Sequence, residues 1–230
     1  MKNIIVSDFD NTLYNDNYIN NKLAVKEFVD NNNIFIINTA RTYKSYLTKS
    51  NNYIENIKYF ICNDGCVLLD NKNNIINKNN INQKQLKLIS KLILKYISKM
   101  NVKYLDEFGN DTFKDDNINL VVFDISNIDK KDKIKIKKIL KKQELKSNIM
   151  KNSMYIHNAK GNKGVYLKDI ALKENVEENN FYTIGDGHLD IKMNSFGKNY
   201  SMKKSQKEML KRTKYVIDEV ENLIKYIMKI

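Results

Sequence analysis

Short β-forming runs alternate with helical patterns along this chain, and that alternation constrains its fold more than any other feature. Strands are predicted over residues 3–7 (NIIVS), Ile34–Asn38 (IFIIN) and residues 58–62 (KYFIC). Apolar residues at helical spacing predict a helix over residues 22–32, between the first two strands. Strand–helix–strand units are right-handed and build parallel sheets, so we expect an α/β core.

The same alternation returns near the end of the chain. Residues 164–174 are predicted as a helix, followed by strands over residues 181–184 and 198–202. A closing helix over residues 219–228 has its apolar side chains on one face. We expect these elements to complete the parallel sheet that the first part of the chain begins.

The middle of the chain follows a different pattern. Helices are predicted over residues 83–100 and 130–142, and strands over residues 102–106, 118–125, 148–151 and 154–157. That order is typical of an α+β unit and does not continue a parallel sheet. We predict that residues 79–157 form an inserted domain of about 80 residues, while residues 1–78 and 158–230 form the core. Both junctions are polar and carry turn-forming residues, as expected for a hinge.

The formal net charge of +13 has two explanations. An excess of basic over acidic residues of this size could indicate nucleic-acid binding. Heavy use of Lys, Asn and Ile, with neither Pro nor Trp, indicates instead an AT-rich coding bias. The lysines are also spread along the chain rather than gathered into one arm. We therefore favour compositional drift over nucleic acid as the origin of the charge.

Apolar runs long enough for a signal peptide or a membrane span are missing from the sequence. We expect a cytoplasmic protein with no membrane partner. Cys62 and Cys66 would then be free thiols in a reducing compartment. A metal or redox pair is the alternative, but two cysteines without further ligands make a poor zinc site.

The first predicted strand leads directly into residues 8–13 (DFDNTL). Side chains alternate along an extended chain, so Asp8 and Asp10 can face one side while Phe9 packs on the other. Two carboxylates at the carboxyl end of a parallel strand lie where open α/β sheets bind ligands. Their charges repel, so they need a cation or a shared proton, and hard oxygen ligands suit Mg²⁺. An acidic turn that caps a helix is the structural alternative.

Three later features also lie where a predicted strand ends or a predicted helix begins. Thr39 follows the second strand, where its hydroxyl reaches the same sheet edge; a helix N-cap is its structural alternative. Lys163 precedes a helix just after the insert, although a single Lys is most often a solvated charge. Asp186 and Asp190, in the turn GDGHLD, can point back toward Asp8 or can belong to a plain acidic turn.

The order D-x-D-x-T, then Thr, then Lys, then G-D-x-x-x-D resembles the phosphatases of the haloacid dehalogenase (HAD) superfamily. It is most similar to the Cof-type branch, in which a cap is inserted between the second and third motifs. Residues 63–65 (NDG) and 197–202 are also similar to that branch. The resemblance implies a Rossmann-like core with a parallel sheet and an inserted small α+β cap of the C2 type.

The resemblance also implies catalytic roles. Asp8 would be the nucleophile and would form an aspartyl-phosphate intermediate. Asp10 would protonate the leaving oxygen and then deprotonate the attacking water. Thr39 and the Ala40 N–H would hold phosphoryl oxygens, and Lys163 would offset the negative charge of phosphate and Asp8.

The cofactor that the resemblance implies is Mg²⁺. Asp8, the Asp10 backbone carbonyl and Asp186 would hold the ion, and Asp190 would support the site. The ion would neutralise charge on the transferring phosphoryl group.

Two positions depart from the pattern of this family. Ala40 stands where the branch usually has Gly, a change that keeps the backbone donor. Leu189 stands where the branch usually has Asn, with His188 beside it. Leu cannot hydrogen-bond, so that substrate contact is lost or supplied elsewhere. His157, at the return hinge, could reach the substrate or could serve a structural role.

The function that these residues favour is hydrolysis of small phosphomonoesters, such as sugar phosphates or similar metabolites. A phosphomutase or phosphotransferase of the phosphomannomutase type is one alternative, because those enzymes resemble this architecture. A polynucleotide 3′-phosphatase would fit the positive charge, but a cap over the active site should exclude polymers. A non-catalytic phosphate-binding protein is disfavoured because all four acids are present.

Overall fold

The computed structural model describes residues 2–96, 102–112 and 117–229, and two β-sheets organise them. In chain order the strands and helices are β1 (Ile4–Ser7), α1 (Tyr18–Asp30), β2 (Ile34–Asn38), α2 (Tyr43–Ser50), β3 (Ile57–Cys62), β4 (Val67–Asp70), β5 (Ile75–Lys78), α3 (Gln83–Tyr96), β6 (Val102–Leu105), β7 (Leu120–Asp124), α4 (Lys130–Lys141), β8 (Leu145–Met150), β9 (Ser153–Asn158), α5 (Leu167–Lys173), β10 (Phe181–Gly185), β11 (Lys198–Met202), α6 (Lys207–Arg212), β12 (Tyr215–Ile217) and α7 (Val220–Met228). The larger sheet has the order β12-β11-β10-β1-β2-β3-β4-β5, and the smaller has the order β6-β7-β9-β8. No helix in the described ranges is both long and apolar enough to cross a membrane.

The larger sheet is parallel at its centre. β1 pairs in parallel with β2 on one side and with β10 on the other, and parallel pairing extends to β3, β11 and β12. β4 and β5 add to one edge as antiparallel strands. The sheet confirms the α/β core predicted from the alternation of strands and helices. It also brings the carboxyl ends of β1, β2 and β10 to one edge, where ligands bind in folds of this kind.

Apolar packing buries β1 on both faces. Ile5 belongs to one buried cluster together with Phe9, while Ile4 and Val6 belong to a second cluster that includes Leu167 of α5. Burying a side chain of this size stabilises the fold by about 1.5–3 kcal/mol. The strand is therefore held firmly between its neighbours, and the residue that follows it has a well-defined position.

The smaller sheet packs α3 and α4 against one of its faces, and we call this unit the cap. Val121, Phe123, Met154 and Ile156 point to that side and form a buried cluster with residues of both helices. The intervening positions of the same strands point the other way, toward the carboxyl edge of the larger sheet. In chain order the cap lies between β5 and α5. That it is an inserted domain with boundaries at residues 79 and 157 stays a proposal.

Polar contacts tie the cap to the core. Lys146 donates to the Asp64 carboxylate (2.5 Å) and to the Gly161 carbonyl (2.6 Å). Glu107 accepts a hydrogen bond from Lys78 (2.6 Å). Asp64 and Glu107 are both buried, so removing either lysine would leave a buried carboxylate without its counter-ion, which is strongly destabilising.

His157 and the two cysteines are buried. Burial lowers the pKa of His157 to about 4, so its ring is neutral near pH 7. His157 does not line the cavity that contains Asp8, which favours its structural role over contact with a substrate. Cys62 and Cys66 are buried free thiols, and burial raises the pKa of Cys66 to about 12.

Several elements go beyond the sequence predictions, namely α2, α6, β4, β5 and β12. β5 is exposed at every position, so it has no buried face to give a strand pattern. In α2 the buried side chains Tyr43 and Tyr46 are surrounded by polar residues, and the apolar stripe is weak. β8 begins at Leu145, earlier than predicted. The predicted helix over residues 83–100 is described as far as Tyr96, and its last four positions lie outside the described residues.

Glu174, directly after α5, accepts three hydrogen bonds at the edge of the sheet opposite Asp8, from residues before β1 and in β3. Its carboxylate accepts from Lys2 (2.8 Å), Lys58 (2.7 Å) and Tyr59 (2.5 Å). Burial alone would raise the pKa of Glu174, but these donors lower it to about 2. Ionised Glu174 therefore stabilises the fold fully at pH values above the ordinary pKa of Glu. That stabilisation is lost as the pH falls toward about 2.

Replacing Glu174 with Gln is expected to lower the free energy of unfolding by about 1.5–3 kcal/mol at neutral pH, because charge-assisted hydrogen bonds are lost. The difference from the wild type should narrow as the pH falls below about 4.5, since the unfolded wild type then takes up a proton at Glu174 that the folded protein does not bind until a pH of about 2. Urea denaturation across this pH range measures both effects. Glu177→Gln, at an exposed glutamate nearby, is the matched control. A deficit that stays constant down to a pH of about 2 would contradict this role for Glu174.

Candidate active site

The loops of the candidate site follow strands that lie side by side. Ser7, at the end of β1, lies opposite Ile37 of β2 and Ile184 of β10. Asp8 follows Ser7, and its backbone N–H donates to the Ile184 carbonyl (2.9 Å). The turns after β2 and β10 therefore begin beside Asp8, as the sequence predicts.

Asp8, Asp186 and Asp190 form a cluster whose carboxylate oxygens lie within 4.8 Å of one another. Burial raises the pKa of Asp8 well above its ordinary value, and the charge of Asp190 raises it further. Burial, and then the charge of Asp190, also raise the pKa of Asp186. Close carboxylates removed from water repel one another, so a bound cation would relieve the repulsion. The donor set consists of oxygen alone, which fits Mg²⁺.

Lys163 lies between two members of this cluster. Its ammonium group donates to Asp8 (2.5 Å) and to Asp190 (2.5 Å), and its side chain is only 3% exposed. Burial alone would lower the pKa of Lys163, but the charges of Asp190 and Asp8 raise it above its ordinary value. Lys163 therefore stays charged at neutral pH and offsets part of the acidic charge.

Asp190 also shapes the turn that carries Asp186. Its second carboxylate oxygen accepts from the backbone N–H groups of Asp186 (3.0 Å) and Gly187 (2.8 Å). A Cβ atom at Gly185, where β10 ends, would lie 2.5 Å from the Asp190 side chain. A glycine is therefore required at this position, and Asp190 supports the cluster by holding the turn as well as by its charge.

Asp10 is not part of this cluster and forms an ion pair with Arg41. Arg41 Nε and Nη2 donate to the two Asp10 carboxylate oxygens, each at 2.7 Å, in a bidentate pair. The third guanidinium nitrogen donates to Ser45 Oγ (3.0 Å). The hydrogen bond to Asp10 raises the pKa of Arg41. Arg41 has no role among the sequence predictions, because its partner is 31 residues away in the chain and only folding brings the two together.

Thr39 and Ala40 lie directly after β2, next to the acidic cluster. Thr39 is buried, and its hydroxyl accepts from the Arg41 N–H (3.1 Å). Ala40 lines the same cavity as Asp8. The Asn38 side chain donates to the Lys163 carbonyl (2.7 Å), which ties the end of β2 to the segment that carries this lysine. The structure thus brings every residue of the predicted site to one edge of the sheet.

A cavity of about 690 Å³ lies between the cap and the core. The core lines it with residues that include Asp8, Asp10 and Lys163. From the cap, the lining residues are Leu105, Leu120, Met150, Lys151, Ser153 and Tyr155. None of these cap residues is among the sequence predictions. The alternation of side chains along the cap strands predicts which residues share a face, but not that this face borders the core.

A second cavity of about 570 Å³ lies at the opposite edge of the larger sheet. Its lining includes Ile34 and Ile57, the first residues of β2 and β3. It contains none of the residues that the sequence predicts for the site. We therefore assign the candidate active site to the cavity that contains Asp8.

Replacing Lys163 with Met should lower the free energy of unfolding by about 3–5 kcal/mol, because two buried carboxylates lose their counter-ion. Added Mg²⁺ should restore part of this loss by supplying positive charge to the folded state alone. Urea denaturation with and without MgCl₂ measures both effects. The exposed Lys160, changed to Met, is the matched control. A loss below about 1 kcal/mol would mean that the buried ion pairs of Lys163 do not hold the cluster together.

The chain is similar to known hydrolases in sequence. The family model described as haloacid dehalogenase-like hydrolase matches residues 5–107 and 96–223. An uncharacterized protein of Mycoplasma capricolum subsp. capricolum is 28% identical, over 96% of this chain and 98% of its own length.

Two solved structures from Bacteroides thetaiotaomicron have a similar fold. A haloacid dehalogenase-like hydrolase superposes with a TM-score of 0.80 at 13% identity, over 99% of this chain and 100% of its own. A phosphatase of the HAD superfamily superposes with a TM-score of 0.80 at 17% identity, over 100% of this chain and 95% of its own. At these identities the likeness shows the fold alone, and that fold agrees with the α/β core and cap.

Proposed function

Because the chain belongs to the haloacid dehalogenase-like hydrolase family, we propose that it is a Mg²⁺-dependent phosphatase of small phosphomonoesters. The observation that carries the proposal is the buried Asp8 carboxylate. It lines the cavity beside the Lys163 cation and within one cluster with Asp186 and Asp190. A carboxylate so placed can attack phosphorus, while the positive charge around it balances the transferring group.

Two displacements at phosphorus complete the reaction. An Asp8 oxygen attacks phosphorus, the bond from phosphorus to the ester oxygen breaks, and Asp10 gives its proton to the departing oxygen. The ionised Asp10 then takes a proton from a water molecule, whose oxygen attacks phosphorus and frees Asp8 and inorganic phosphate. Asp10 ends the cycle protonated, as it began.

Arg41 holds the Asp10 carboxylate in this structure. Both Asp10 oxygens accept from Arg41. One of these bonds has to break before Asp10 can reach the leaving oxygen of an ester. The Asp10 side chain is 38% exposed, so it has room to turn toward an ester in the cavity.

Mg²⁺, when bound, would supply positive charge to the phosphoryl group during its transfer. Asp8, the Asp10 backbone carbonyl and Asp186 would hold the ion. Asp190, whose oxygens already accept from Lys163 and from two backbone N–H groups, would support the site without being a primary ligand.

The phosphoryl oxygens need donors in addition to the metal. Thr39 and Ala40 follow β2, the strand paired with β1, and the Thr39 hydroxyl and the Ala40 N–H would donate to these oxygens. Lys163 carries a permanent positive charge beside Asp8 and would offset the negative charge that builds up there.

The cap favours a small substrate and hydrolysis in a site shielded from bulk water. The cavity is bounded by the cap on one side and by the core on the other, so a polymer would have to thread between them. Release of free phosphate from a panel of small phosphorylated metabolites tests the proposal, because a mutase returns the phosphoryl group to its substrate.

Asp8→Asn should abolish phosphate release, because an amide cannot form the aspartyl-phosphate intermediate. Removal of metal with EDTA should do the same, and Mg²⁺ should restore turnover far better than Ca²⁺, whose coordination geometry is looser. The control is Asp16→Asn, at an exposed aspartate close by in the chain. Substantial turnover by purified Asp8→Asn, or by the wild type in EDTA, would rule out this mechanism.

Asp10→Asn should fold and bind metal, because the contact proposed between Asp10 and the ion is its backbone carbonyl. Its kcat on an alkyl phosphate should fall by about 10²–10⁴, the usual scale for loss of a general acid and base. Steady-state kinetics, with circular dichroism to check folding, make the measurement. Turnover at the wild-type rate on such a poor leaving group would contradict the role of Asp10.

A further inference from the structure

One face of the cap sheet is turned toward the active site. Along β9, Met154 and Ile156 are buried against the cap helices, so Tyr155 projects from the opposite face. In β7, which pairs with β9, Leu120 projects to the same side as Tyr155. Leu105 of β6 lies directly opposite Leu120 and shares that side.

Carbon atoms make up most of the surface that this face presents to the cavity. Leu105, Leu120, Met150 and Tyr155 line the cavity from the cap, and we call these four residues the apolar wall. Leu189 lines the same cavity from the core. A ligand bound beneath the cap therefore meets apolar side chains from both units.

The cap side of the cavity offers few polar groups, whereas the core side is polar. In the described part of the cap, the polar residues of the lining are Lys151 and Ser153, at the turn between β8 and β9, in addition to the Tyr155 hydroxyl. The core lines the cavity with polar residues that include Thr42, His188 and Gln206. Hydroxyl groups that a ligand turns toward the apolar wall would lie against carbon, without hydrogen-bond partners there.

The apolar wall lies on the side of the site where the leaving group would be. Tyr155 of the cap and Arg41 of the core line the same cavity. Arg41 in turn binds Asp10, which is the proposed donor of a proton to the departing oxygen. The part of a substrate beyond its ester oxygen would therefore contact Tyr155 and its neighbours.

Building on the phosphatase function proposed above, we propose that the apolar wall selects phosphomonoesters whose leaving group carries an aromatic ring. A flat ring can pack on Tyr155 and cover the Leu and Met side chains. A sugar would lose hydrogen bonds to water that these side chains do not replace. The proposal narrows the expected substrates from small phosphomonoesters such as sugar phosphates to esters whose leaving group is aromatic and weakly polar.

Benzyl phosphate and glucose 6-phosphate provide the comparison, because both are esters of primary alcohols. The enzyme should hydrolyse benzyl phosphate with a kcat/KM at least about 10-fold higher, since apolar pockets discriminate on this scale. A higher kcat/KM for glucose 6-phosphate would overturn the proposal and leave the phosphatase function intact.

Variants of the apolar wall test whether it causes the preference. Tyr155→Ser and Met150→Ser should each reduce the benzyl-to-glucose ratio of kcat/KM toward one. Ile149→Ser is the matched control, because Ile149 is the neighbour of Met150 in β8, is also exposed, and does not line the cavity. Met150 is half-exposed, so this variant should fold even if Tyr155→Ser does not. An unchanged ratio in folded wall variants would refute the role of the wall.

Binding separates a failure of this proposal from a failure of the phosphatase function. If neither these two esters nor any member of the metabolite panel releases phosphate, the proposed phosphatase function fails. Calorimetry of wild-type protein with Mg²⁺ and each ester then measures selectivity alone. Tighter binding of benzyl phosphate, lost in Met150→Ser, would support the wall, whereas equal binding or tighter binding of glucose 6-phosphate would overturn it.

Discussion

Repulsion among three clustered carboxylates, of which Asp8 and Asp190 are buried, is the constraint on which the rest of the site depends. Asp8, Asp186 and Asp190 have oxygens within 4.8 Å of one another, and burial raises the pKa of Asp8 well above its ordinary value. Lys163 bonds to two of them but supplies one positive charge. A further cation would complete the balance. We therefore regard metal binding and the raised pKa of Asp8 as two consequences of the same packing.

The parallel sheet keeps this repulsive cluster together. β1 is buried on both faces and paired on both sides, so the chain cannot move Asp8 away from the turn that follows β10. That turn is held in place by the Asp190 carboxylate, which bonds to two of its backbone N–H groups. The stability of the core thus offsets the unfavourable electrostatics of the cluster, and the cap is tied over it by Lys146 and Asp64.

The sequence predicts the core and the acidic residues well, because a strand buried on both faces has a continuous apolar run and Asp8 follows such a run directly. The sequence does not predict β5 and α2, because these elements have few buried positions. The Arg41–Asp10 pair depends on two loops that meet only in the folded chain. The sequence does not identify Tyr155 as a cavity residue for another reason. A strand face that borders a second unit has the same alternation of side chains as one that faces water.

Attack by Asp8 in two successive displacements is the central claim, and the stereochemistry at phosphorus tests it most directly. The measurement uses a phosphomonoester made chiral with oxygen isotopes and sulfur, hydrolysed in isotopically labelled water, and determines the configuration of the released thiophosphate. Each in-line displacement inverts phosphorus, so formation and hydrolysis of an intermediate on Asp8 predict net retention. Net inversion would show that water attacks the ester in a single step, and it would contradict the account.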